Sequence, residues 1–135
     1  MRKLWVGAIA LLLAGCSIGE DIPAAKNAVV KFHRQLDAGQ SAEIYRAASK
    51  DMHDATPEAE LVQLLDAVHR KLGKFQSASD AGWNDQFTNG DHFISLTYAS
   101  KYERGQASEN FVYRIEGGKP SLAGYHVSSN ALIVN

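Results

Sequence analysis

The spacing of apolar residues divides the chain into three stretches. The first is a solid block: after Arg2 and Lys3, residues 4 to 14 are apolar apart from Gly7. The second has a helical period. Ala25, Ala28, Val29, Phe32 and Leu36 stand at offsets 0, 3, 4, 7 and 11, with Lys26, Lys31, Arg34 and Gln35 on the other side. That spacing predicts an amphipathic helix from Pro23, closed by Gly39. A shorter helix is expected over Ser41 to Ser49, with Ile44, Tyr45 and Ala48 facing inward. Leu61, Leu64, Leu65, Val68 and Leu72 repeat the same period. In front of them Thr56-Pro57-Glu58 offers an N-cap hydroxyl, a Pro for the first helical position and an acid for the first turn. Arg70 and Lys71 suit the negative end of the helix dipole before Gly73 ends it.

After Gly73 the period becomes two. Residues 74 to 87 predict an irregular first strand, and Asn89-Gly90 predicts a tight hairpin because both residues tolerate positive φ. Ile94, Leu96 and Tyr98 then alternate with Ser95, Thr97 and Ala99, and Phe111, Tyr113 and Ile115 alternate with Asn110, Val112 and Arg114. Glu103-Arg104-Gly105 and Gly117-Gly118-Lys119-Pro120 mark the other turns, and a last strand is expected from Leu122 to Val134. Three helices followed by four strands without crossovers predict an α+β domain, its N-terminal helices packed on one face of a curved four-stranded antiparallel sheet. This order resembles the cystatin-like cone of the nuclear-transport-factor-2-like superfamily. The pieces Phe32…Leu36-Asp37…Gly39, Ile44-Tyr45…Ala48-Ser49, Leu72-Gly73, Leu96…Tyr98, Glu109…Phe111 and Leu122…Gly124-Tyr125 resemble small exported bacterial proteins of that shape.

The N-terminal block is too short to span a bilayer. Eleven residues at about 1.5 Å each make roughly 16 Å of helix, about half of a ~30 Å hydrocarbon core. Two cations, a short apolar core and small residues at its end are the marks of an export signal. Leu13-Ala14-Gly15-Cys16 resembles the lipobox of bacterial lipoproteins. The resemblance implies a diacylglyceryl group on the Cys16 sulfur, cleavage before Cys16 and acylation of the new amino terminus. Residues 1–15 are then a signal peptide, 16–23 a lipidated Cys and short tether, and 24–135 a single domain. Acyl chains contribute about 0.8 kcal/mol per buried methylene, so two or more anchor the protein to a lipid bilayer without a spanning helix. Ser17, where enterobacterial lipoproteins retained at the inner membrane carry Asp, implies the periplasmic face of the outer membrane.

Composition narrows the functions further. Cleavage removes Arg2 and Lys3 from the 14 Lys and Arg, so 12 face 15 Asp and Glu, a net charge of −3. That balance argues against nucleic acid and against a polybasic grip on lipid headgroups. Cys16 is the only cysteine, which rules out an intramolecular disulfide and, once lipidated, a cysteine nucleophile or a cysteine metal ligand.

Candidate chemistry is sparse. The histidines His33, His53, His69, His92 and His126 lack the i, i+4 pair of a helical zinc motif, so no metal or cofactor is expected. His33 and His69 have charged neighbours and read as solvated. No nucleophile elbow, Walker loop or dinucleotide fingerprint occurs, and no catalytic residue is assigned. The superfamily resemblance includes ketosteroid isomerases, which place an acid and a Tyr inside the cone; Glu109, Tyr98, Tyr45 and His126 are this chain's candidates. Glu109 shares strand parity with Phe111 and Tyr113, so it either faces inward, with a raised pKa suited to a general base, or lies at the rim beside a polar neighbour. Trp83, between Gly82 and Asn84-Asp85, is either a half-exposed anchor for a partner or a core residue bending an edge strand. Tyr98 and Tyr102 share a parity and either extend that aromatic surface or, for Tyr98 in particular, join the core.

Three functions fit these residues. The first is a non-catalytic, membrane-tethered periplasmic binding module for a protein or peptide partner, for example an immunity-type or envelope-assembly lipoprotein. Such a module can also pair with a second copy through its sheet, as many proteins of this shape do. The second is a carrier or sensor of a small apolar ligand in a cone lined by Tyr45, Leu65, Tyr98 and Phe111. The third is a small isomerase or hydrolase.

Overall fold

The computed structural model describes residues 18–134, and over that span four helices come first, four strands follow and a short fifth helix comes after them. They are α1 (Ile18–Asp37), α2 (Ser41–Arg46), α3 (Lys50–Ala55), α4 (Glu58–Leu72), β1 (Phe75–Thr88), β2 (Asp91–Tyr102), β3 (Gly105–Glu116), β4 (Lys119–Ser128) and α5 (Asn130–Val134). The strands form one curved, open sheet in the order β1-β2-β3-β4, every neighbouring pair antiparallel. This is the α+β architecture expected from the change of period. The hairpin between β1 and β2 turns at Asn89 and Gly90, with φ of 52° and 83°.

Several boundaries differ from expectation, each for a local reason. Four helices precede the sheet, not three. After α2 the backbone leaves the helical path, and the Ser49 N–H donates to the Leu122 carbonyl on β4 at 2.9 Å, so the chain restarts as a separate α3. α4 has Pro57 at its N-cap, and Thr56 makes no capping bond. β4 stops at Ser128, and the segment expected to continue it becomes the short α5. α1 reaches back to Ile18 with Pro23 inside it, so residues 18–23 are helical where an extended tether was expected. Cys16 and the N-terminal apolar block lie outside the described residues.

The core follows the two helical stripes. Ala25, Val29, Phe32 and Leu36 of α1, with Leu61, Leu65, Val68 and Leu72 of α4, are buried against Ile94, Leu96, Phe111, Tyr113 and Tyr125. Each larger apolar side chain so buried contributes about 1.5–3 kcal/mol. Leu64, expected on the α4 stripe, is exposed. The Phe111 ring meets Phe32 at 4.9 Å, Tyr125 at 5.2 Å and Tyr98 at 6.1 Å. Phe111 and Leu65 are fully buried in this packing.

One strand escapes the core. β1 is an edge strand, paired only with β2, and nearly all of its residues are exposed. Its register with β2 shifts at Gln76 and Ala81. Because directly paired residues point to the same face, these shifts keep Phe75, Ala78, Asp80, Trp83, Asp85 and Phe87 opposite Tyr102, Ser100, Tyr98, Leu96, Ile94 and His92. β1 therefore presents this set on the helix side of the sheet, with Phe75 stacked on His33 and Asp80 paired to Lys26 of α1, while Trp83 and Phe87 further along remain exposed.

Candidate functional site

Glu109 stands in the middle of β3 on the helix side of the sheet, with no exposed surface. His33 comes to it from α1. The offsets 25, 29, 33 and 36 are helical, so His33 belongs to the buried stripe, and its ring stacks on Phe75 at 3.7 Å. Its Nε2 stands 2.9 Å from Glu109 Oε1. On the other carboxylate oxygen, Oε2, Tyr102 donates at 2.9 Å and Tyr125 at 2.5 Å. Three strands and one helix thus meet at a single carboxylate.

The electrostatics follow from these partners. Burial pushes the Glu109 carboxyl up, but the hydrogen bond and charge of His33, with Ser100 and Tyr125 adding to them, outweigh it and hold the carboxyl below its ordinary range. The Ser100 hydroxyl, buried nearby, makes no hydrogen bond of full geometry. Burial and then the Glu109 charge push Tyr102 and Tyr125 far above the usual phenol range. The carboxylate stays ionised, the phenols stay protonated, and no lone pair faces solvent. The raised carboxyl expected of an inward general base is therefore corrected: Glu109 is inward but lowered.

Two further polar clusters hold the elements together. Arg114, expected on the outer face, is buried and bridges β3 to α3 and β2. Its Nε meets Asp51 Oδ2 at 2.6 Å, its Nη1 meets Asp91 Oδ1 at 2.8 Å, and its guanidinium lies 5.0 Å from the centre of the Phe93 ring. The Arg114 hydrogen bond brings Asp51 down to about 2. At the start of β2, His92 Nε2 meets Asp85 Oδ1 at 2.5 Å, and His92 Nδ1 stands 3.7 Å from Asp21 Oδ2 in α1. Among the described residues, no group of three or more His, Cys, Asp and Glu is arranged to hold a metal ion.

One accessible concavity lies beside Glu109, and another of about 450 Å³ lies between α3, α4 and β4 beside His126. Between α1 and the first half of β1 runs a groove of about 450 Å³, lined chiefly by Val29, Val30, His33, Phe75, Ala78 and Tyr98. That volume is within the range of ligand-binding clefts. Lys26 on α1 and Asp80 on β1 join across it at 2.7 Å. Val30 is 56% exposed at its lip, while His33, at 3%, closes its floor over Glu109.

The expected site residues therefore separate. Tyr98 is half-buried and lines the groove. Trp83 is 54% exposed and so is not the core residue of the alternative reading. Tyr102, read as a possible extension of the aromatic surface, is buried on Glu109 because its parity places it beneath α1. His126 is exposed on β4 and pairs with Asn110 on the face away from Glu109, so it cannot join that carboxylate. His33, read as solvated, is buried. Its charged neighbours in sequence masked a helical offset that already placed it inward, whereas the His92, Asp85 and Asp21 cluster had no sequence signal. No described helix is long and apolar enough to cross a membrane. No protein-family model matches the chain, and no curated protein matches it.

Proposed function

We infer that this protein is a non-catalytic recognition domain of the bacterial cell envelope. It is tethered by lipid on Cys16 to the periplasmic face of the outer membrane, and it binds an extended segment of a protein or peptide partner along the first half of β1. The observation that carries the reading is the pairing of an unpartnered edge strand with an apolar groove, Phe75 and Ala78 on one wall and Val29 and Val30 on the other. An edge strand offers main-chain donors and acceptors to an added strand, and an adjoining groove accepts alternate side chains of that strand. The residues that resemble catalytic machinery point away from an enzyme, because Glu109 has its partners already and touches nothing that enters from solvent.

The test is capture of partners from solubilised envelope fractions by the full chain and by Ala78→Arg, which fills the groove from an exposed strand position. One stoichiometric protein held by the native chain and lost from the variant is expected. Equal capture by both removes the groove from the function. A second reading, a small apolar ligand, draws on the volume of the same groove, now placed outside the packed core. Native mass spectrometry separates the two, since a ligand travels with the purified chain and a protein partner must be added.

A further inference from the structure

β1 changes character at Ala81. Before that register shift it lines the groove; after it, Trp83 and Phe87 share the helix-side face and are 54% and 66% exposed. This second half lies where the chain enters the domain. The Phe87 ring stacks on His92 with centres 4.3 Å apart, and His92 stands 3.7 Å from Asp21. Asp21 follows Cys16 by five residues, of which Ile18 onward are helical. From Cys16 to Ile18 the chain reaches at most about 7 Å, and three helical residues more add about 4.5 Å. The groove residues of α1 lie further along, about 12 to 28 Å past Ile18.

We propose that Trp83 and Phe87 form a bilayer-contacting edge, seated in the headgroup region of the membrane that holds Cys16, so that the groove stands on the aqueous side. The proposal rests on the reading of Cys16 as lipidated. Aromatic rings partition to the membrane interface, where one part of the ring is apolar and the other is wet. At this end Arg114 pairs with Asp91 and Glu116, and Asp85 meets His92. Among the described residues no cluster of free cations therefore faces the lipid, the attraction is apolar, and a zwitterionic surface suffices where a polybasic segment would need anionic lipid. The tether supplies a high effective concentration of membrane, and two rings are then enough to select an orientation.

The chain contains its own reporter. Of its two tryptophans Trp5 lies in the signal segment, which leaves Trp83 alone after cleavage. Full-chain protein purified with its lipid is reconstituted into phosphatidylcholine vesicles with plain or brominated acyl chains, and Trp83 emission is compared. Emission about half as strong over brominated lipid is expected for rings seated ~5–10 Å into the interface. Phe87→Ser should restore much of it, and Ile133→Ser, exposed on α5 at the other end, should leave the quenching unchanged. Equal emission in both vesicles, with the protein still bound through Cys16, overturns the docking and leaves the tether standing. An emission change that follows protein density instead of bromination overturns it in favour of contact between two copies. If native chain and Cys16→Ser both stay off the vesicles, tether and docking fall together.

Discussion

β3 and β1 belong to one sheet and treat their polar and apolar residues in opposite ways. On β3 the residue that most resembles chemistry, Glu109, is enclosed and bonded to His33, Tyr102 and Tyr125. On β1 large apolar side chains, Trp83 and Phe87, stay more than half exposed, Phe87 with one face of its ring on His92. The difference teaches where to look for function in this molecule. A buried charge with all its partners specifies how α1 docks on the sheet, whereas an exposed apolar strand edge is the surface on which the proposed contacts with partner and membrane are built.

The largest expected effect breaks the β3 side. Glu109→Ala leaves His33 and two phenols buried without their acceptor, and each buried polar group left without a partner costs about 1–3 kcal/mol. Urea unfolding should show the loss as a lower midpoint. A midpoint within error of the native one would mean that the carboxylate is not a structural centre.

Acid should act on the same side next. Glu109 and Asp51 are both held below their ordinary ranges in the folded state, Asp51 at about 2. A carboxylate with a lowered folded pKa stabilises fully above its unfolded value, and its contribution is lost as pH falls through the folded one. The melting temperature should therefore hold down to about pH 4.5 and drop progressively below it. Asp51→Asn should start lower and fall less steeply between about pH 4 and 2.

The β1 side predicts function without stability. Ala78→Arg should shift the unfolding free energy by no more than ~0.5 kcal/mol, as surface changes away from packed features usually do. Its partner capture should fall by about tenfold or more, the loss expected when a binding pocket is filled. The smallest structural effect belongs to Phe87→Ser, which should leave unfolding unchanged and register only in the vesicle measurement. If either β1 variant unfolds the domain, the contrast between the two strands is wrong and β1 is part of the core.

Legibility in the sequence divided along the same line. The stripes of α1 and α4 and the alternation of β2 and β3 were readable because period reports which face is buried. Glu109 was placed inward by parity alone, and His33 was readable by its offset yet obscured by Lys31 and Arg34. Trp83 looked like an anchor or a core residue in equal measure, since local sequence does not say whether α1 extends over that strand. The break between α2 and α3 had no local sign either, because it follows from a hydrogen bond between Ser49 and Leu122 across the fold.

The sequence by itself determined the α+β class, the order of helices before strands, the hairpin at Asn89-Gly90 and the absence of any cysteine but Cys16. Each of these depends on local period, turn chemistry or simple counting. Only the tertiary structure decided that Glu109 lies beneath His33 and that β1 is left largely exposed beside a groove. Those outcomes depend on which helix covers which strand, and that is set by packing between residues far apart in the chain.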